Sequence, residues 1–190
     1  MTERRKFWMR WRVRTGYPVA MIYWLLARPT PRAILIGGGI AALGLIIRAA
    51  ASGHLRKDEH LATTGPYART RNPLYFGSAF LAAGFAVAGN SWWGGSLVVA
   101  YFAIFYYAVM RNEESDLRKR FGAAFETYAA QVPLFFPRFT AARSVSEESS
   151  NATFSWAQYC KNREYKALFG VLAGVGLLWL RMWFRFRFGY

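Results

Sequence analysis

Two arginines, a Gly-Pro turn and an Asn-Pro pair crowd into Thr63 to Gly77, "TTGPYARTRNPLYFG", directly before a long apolar run. The residue before a proline is pushed out of the helical region, so Asn72 is expected to be extended. Pro73 suits the first helical position, where its missing N–H costs nothing, and Asn72 is then an expected N-cap. If Tyr67 to Arg71 is extended, alternation puts Tyr67, Arg69 and Arg71 on one side. They would converge on the positive end of a helix, a place prepared for an anion. Gly77, one turn in, leaves room for a close approach.

The second chemical group is acidic. Glu113 and Glu114 open "NEESDLRKRFGAAFETYAAQVPLFFPRF" directly after an apolar run. Neighbouring helical residues point about 100° apart, so the pair is not expected to face one site together. Bland readings stand beside the chemical ones. A capped helix start accounts for Asn72-Pro73, and solvated interfacial carboxylates paired with Arg111 or Lys119 account for the two glutamates. Further on, Leu117, Phe121, Phe125 and Tyr128 share one helical face. That face reads as an amphipathic helix lying on a membrane or over a site, with core packing as its commoner meaning. Val132-Pro133 ends it, and "PLFFP" turns aromatic side chains back toward the interface.

These groups need elements to hold them, and the elements are apolar. Hydrophobic residues make up 54% of the 190-residue chain and occur in blocks, as lipid contact requires. The blocks are Tyr17 to Ala27, Ala33 to Ser52, Pro73 to Gly89, Trp92 to Met110 and Ala167 to Leu180. The first is short for a span, and "ARPTPR" breaks the helix after it. The second carries "GGGIAALG", a small-residue face for close helix packing, and Arg48 near its end is expected to snorkel. Only "NS" separates the third block from the fourth, which forces a tight antiparallel hairpin. At the hairpin's open end, Arg71, Asn72 and Tyr75 are thereby brought near Glu113 and Glu114.

The expected fold is an all-α integral membrane bundle of about five transmembrane helices, forming a single membrane domain over residues 1–190. Thr140 to Lys166 reads as a polar surface connection. "SVSEESSNAT" inside it is its most disorder-prone piece, and Asn151 carries a glycosylation pattern that is silent on a cytoplasmic segment. Lys and Arg flank the apolar blocks, so the net charge of +15 reads as contact with an anionic leaflet, and no nucleic-acid motif accompanies it. The basic N-terminus, with Trp8 and Trp11 at the interface, reads as a cytoplasmic anchor without a cleavage pattern. Gly53 to Asn72 and Arg111 to Lys166 are then cytoplasmic too. The tail "RMWFRFRFGY" disagrees with that rule, which leaves the last helix either spanning or interfacial; the spanning path is adopted. Cys160 is the only cysteine, which rules out an intrachain disulfide and a Cys-based metal site.

Taken together, Gly65, Tyr67, Arg71, Pro73, Tyr75, Gly77, Glu113, Glu114, Phe121, Gly122, Phe125, Tyr128, Val132 and Pro133 resemble the pattern of the isoprenylcysteine carboxyl methyltransferase family. The resemblance extends more loosely to the phospholipid N-methyltransferases. It covers about Glu59 to Pro137 and implies a cofactor-binding core there, with 140–166 as the connection and 167–190 as the last helix and tail. It implies a multi-pass enzyme that binds S-adenosylmethionine in a cytoplasmic pocket and methylates a lipophilic substrate from the bilayer, a prenylcysteine carboxylate or a lipid head-group amine. The cofactor would meet Glu59, His60, Leu61 and Ala62, then Tyr67, Asn72, Pro73, Leu74 and Tyr75, then Glu113 and Glu114. Arg71 and Glu113 would carry catalysis. The family has His where Asn72 stands and Arg where Val109 stands, and Arg111 is the candidate to take over the substrate contact. Two other classes remain open: a non-catalytic membrane scaffold, and an enzyme similar to the nicotinamide-dependent sterol reductases.

Overall fold

The computed structural model describes residues 3–56, 61–142 and 153–188, and all regular structure among them is helical. Helix α1 spans Glu3–Leu26, α2 Pro31–His54, α3 Pro73–Ala88 and α4 Trp92–Gln131. A short 3₁₀ turn, Gly65–Ala68, precedes α3; a short α5, Trp156–Lys161, and a long α6, Tyr165–Phe188, close the chain. Helices α2, α4 and α6 are long and apolar enough to cross a membrane, whereas α3 is apolar but only 16 residues long. Helix α1 has the length, yet its first half is crowded with Arg and Lys.

Proline chemistry sets the breaks. Arg28-Pro29 ends α1, and Thr30 caps α2 by accepting from the Ala33 N–H at 3.2 Å. The α1–α2 link then docks on the α3–α4 turn, where the Arg28 N–H donates to the Gly89 carbonyl at 2.7 Å. Tyr23 lies across the same turn and donates to the Phe85 carbonyl at 2.5 Å. A buried cluster of Tyr23, Ala27, Ile34, Ala88 and Leu178 closes this end of the bundle.

Helices α2 and α3 run antiparallel along a small-residue seam. A Cβ on Gly37 would strike the Gly84 carbonyl oxygen, and one on Gly44 would lie 2.6 Å from that of Gly77. Of the "GGG" run only Gly37 faces the seam, since Gly38 and Gly39 meet nothing within 4 Å.

Three expectations are sharpened here. The amphipathic segment follows the apolar block as a second helical stretch of α4, set off by a kink at Gly122, whose φ of 51° and ψ of −125° are non-helical. Only glycine takes such a conformation freely, which is why the direction changes there. The apolar face of Leu117, Phe121, Phe125 and Tyr128 packs inward on Leu61 and Ala142. The second half of the polar connection lies at the surface and is anchored there, because Asn162 donates to the Ser52 and Leu55 carbonyls, each at 2.9 Å. The Arg48 guanidinium, near the end of α2, is held in an ion pair with Glu164. "SVSEESSNAT" up to Ala152, Asn151 included, and the Trp8 side chain lie outside the described residues, while Trp11 is exposed.

Candidate active site

The site is built from the open end of the α3–α4 hairpin. Gly65 adopts φ +58°, and the His54 ring fills the space where a side chain would stand, 2.6 Å from an added Cβ. The chain then makes one 3₁₀ turn, so Tyr67 to Arg71 is not extended and alternation does not apply. Tyr67 turns inward and is buried, whereas Arg69 faces out. The Tyr128 hydroxyl fixes this turn from α4 by donating to the Tyr67 carbonyl at 2.8 Å.

A strap of residues 133–142 holds the other side of the segment. The Arg71 N–H donates to the Pro133 carbonyl at 2.9 Å, the Arg138 N–H to that of Arg69 at 3.0 Å and the Ala142 N–H to that of Ala68 at 2.8 Å. Thr70 is buried and its hydroxyl donates to the Phe135 carbonyl at 2.9 Å. Asn72 stands at the N-cap position with φ −127°, but its side chain makes no cap bond. Its Nδ2 donates to the Leu134 carbonyl at 2.9 Å, so it ties the helix start to the strap. The sequence reading passed over Thr70; a hydroxyl between two arginines in a turn-rich segment is its only signal.

The hairpin brings the two polar groups together. Arg71 Nη1 donates to Glu114 Oε1, and Arg111 Nη1 donates to Glu114 Oε2 at 2.8 Å. The Tyr75 hydroxyl donates to Glu113 Oε2 at 2.7 Å. The angular separation of the two carboxylates holds, yet one segment serves both, because Arg71 and Tyr75 lie about a turn apart. The partner of Arg71 is therefore Glu114, and Glu114 is buried at 7% exposure instead of being solvated. The Tyr106 ring meets Tyr75 edge-on at 5.6 Å and stacks on Phe102 at 4.3 Å, giving the dyad an aromatic wall. Arg71 Nε is buried and has no hydrogen-bond partner among the described residues.

Of the other expected contact residues, Pro73 is buried and the Leu74 carbonyl accepts from Arg48 at 3.3 Å. Leu61 packs against the Phe125, Tyr128 and Val132 cluster, and Ala62 beside it is half-buried. Glu59 and His60 lie outside the described residues. Val109 is buried, and Arg111 is more than half exposed beside Glu114.

Burial pushes the Tyr67 phenol well above its usual range; Glu113 adds most among the charges, followed by Tyr128, Tyr75 and Glu164. A raised phenol favours the protonated, folded state, so its stabilisation is complete below the ordinary value of about 10 and fades as pH rises toward the folded value. Tyr67→Phe should accordingly flatten the alkaline decline of the thermal midpoint, read in detergent from about pH 9 to about pH 11.

Residues 34–124 match the family model of phospholipid methyltransferases. This segment is similar to the phospholipid methyltransferases. This is the looser arm of the sequence resemblance, and it runs from α2 through Glu113 and Glu114 to just beyond Gly122. Three helices among the described residues, α2, α4 and α6, are long and apolar enough to cross a membrane, and the matched segment takes in the first two in part. Two curated relatives share the region. The nickel-cobalt-cadmium resistance protein NccN of Alcaligenes xylosoxydans xylosoxydans is 37% identical over 91 residues. The cobalt-zinc-cadmium resistance protein CzcN of Cupriavidus metallidurans is 35% identical over 91 residues. Each alignment takes in 48% of this chain and 42% of the relative, so the chain spans about two fifths of the length of these relatives. No solved structure matches the chain. The matched segment leaves out Tyr128, the strap and Glu164, all of which touch the site's framework.

Proposed function

We propose that the protein transfers a methyl group from S-adenosylmethionine to a lipophilic acceptor reaching the site from the bilayer. The observation that carries this reading is the double link across the hairpin, Arg71 to Glu114 and Tyr75 to Glu113, at the start of an apolar helix. The donor set fits such a cofactor. A sulfonium and an ammonium call for carboxylate and aromatic faces, which Glu113, Tyr75 and Tyr67 offer. A carboxylate calls for a cation with a spare donor, which Arg71 has in Nε, and for the N-terminus of α3.

When bound, the cofactor supplies an electrophilic methyl carbon. The chain's own part is to position and to exclude water, because a displacement needs alignment more than strong acid or base. Glu113 and Tyr75 orient, Arg71 and Glu114 fix the floor, and the aromatic wall and strap keep the site dry. The acceptor is of the prenylcysteine or lipid-amine type, with Arg111 at the rim as its polar contact. In this reading α1 and α3 complete a five-helix bundle in one membrane domain, and the N-terminus and the pocket face the cytoplasm. A part in metal resistance, after the two relatives, is compatible with the same chemistry.

Calorimetry of the purified protein tests the reading with S-adenosylhomocysteine and, separately, NADPH. S-adenosylhomocysteine should bind, and Glu113→Ala should weaken it by about tenfold or more, the loss of one charge-assisted contact. A folded wild type that ignores S-adenosylhomocysteine overturns the methyltransferase reading; NADPH binding would point to a reductase, and binding of neither to a scaffold.

A further inference from the structure

We propose that Arg48 and Glu164 are positioning residues for the site, so that the turn between α5 and α6, outside the matched segment, is a working part of it. The inference rests on the methyltransferase reading for its functional consequence and on geometry for its physical content.

An arginine within the apolar run of a helix demands partners, and Arg48 has three. Its Nε donates to Glu164 Oε2 at 3.0 Å and its Nη2 to Oε1 at 2.6 Å, a bidentate fork. Its Nη1 donates to the Leu74 carbonyl at 3.3 Å and to the Ser78 hydroxyl. Leu74 lies in the first turn of α3, between Arg71 and Tyr75. One guanidinium therefore grips the start of the helix that carries Tyr75 and follows Arg71, and Glu164 fixes the plane of that guanidinium. Gly77 makes the reach possible, since a Cβ there would lie 2.6 Å from Arg48 Cγ.

Glu164 is itself aimed. Arg163, before it, is held at φ 56°, a conformation that non-glycine residues keep only where their surroundings impose it. The result is that Asn162 and Glu164 both reach α2, Asn162 at the Ser52 and Leu55 carbonyls and Glu164 at Arg48.

Two variants separate positioning from simple stability. The exchange Arg48→Glu with Glu164→Arg restores an ion pair but removes the donor to Leu74 and Ser78. Arg48→Lys keeps the charge but not the planar fork, and it serves where the exchange does not fold. The measurements are hydrogen exchange of the 71–78 amides in the purified protein, and calorimetry with S-adenosylhomocysteine. Positioning requires faster exchange confined to 71–78 and an affinity about tenfold lower, the loss of one charge-assisted bond. Wild-type exchange at those amides in either folded variant overturns the proposal. A wild type that does not bind S-adenosylhomocysteine overturns the functional reading instead, while the exchange data still decide the geometry. Lower affinity with unchanged exchange also counts against positioning.

Discussion

Glu114→Ala is expected to cost about 3–5 kcal/mol of stability, the penalty for breaking one side of a buried ion pair. The reason lies with Arg71 more than with Glu114. The two side chains are 15% and 7% exposed, so removal of the carboxylate leaves a guanidinium with little water to replace it. Arg111 shares the same carboxylate, but at 56% exposure it turns to solvent, and Arg111→Ala is expected to change stability by no more than about 1 kcal/mol. The contrast between the two arginines is the diagnostic. Thermal unfolding of both variants in one detergent reads it, and equal effects would show that Arg71 does not depend on Glu114. Under the proposed function S-adenosylhomocysteine binding should fall in Glu114→Ala as well, because Arg71 then has no fixed direction. Glu114→Gln should sit between the two, since it retains an acceptor oxygen but not the charge.

This pairing shows where sequence reading reached and where it stopped. The near-zero length of the joint at Asn90-Ser91 dictates that the far ends of α3 and α4 meet, so the encounter of Arg71, Tyr75, Glu113 and Glu114 is legible without coordinates. Which carboxylate takes which partner is not. That depends on the rotation of α4 about its own axis, and neighbouring residues separated by about 100° exchange roles with a small turn of the helix. The Arg48–Glu164 pair was illegible for a different reason: its members are separated by 116 positions, and Glu164 sits in a stretch whose composition reads as a surface connection. The alternation that would follow from an extended Tyr67 to Arg71 does not apply, because Gly65, at φ +58°, starts a tight turn that a residue-by-residue rule does not anticipate. Asn72 was placed correctly and given the wrong bond, since a strap 62 residues later offers the Leu134 carbonyl to its amide.

Gly77→Val is the second large effect, and it joins packing to the site. A Cβ at this position would lie 2.6 Å from Arg48 Cγ, 2.8 Å from the Gly44 carbonyl oxygen and 3.2 Å from the Arg48 backbone nitrogen. Two of the three neighbours are backbone, so α2 and α3 must separate, and van der Waals contact between close backbones is what holds membrane helices together. Overpacking of this kind costs about 1–3 kcal/mol, and the upper end is expected because backbone cannot rotate away. Gly84→Val should destabilise comparably, its Cβ facing the Gly37 carbonyl oxygen at 2.6 Å, while Gly38→Val and Gly39→Val should be near neutral with nothing within 4 Å. The two seam positions part company at the site. Gly84 lies toward the Ala88 end of α3, whereas Gly77 borders Arg48, so only Gly77→Val should also speed hydrogen exchange at the 71–78 amides. If Gly38→Val unfolds the protein as readily as Gly77→Val, the seam does not run where the glycine contacts place it.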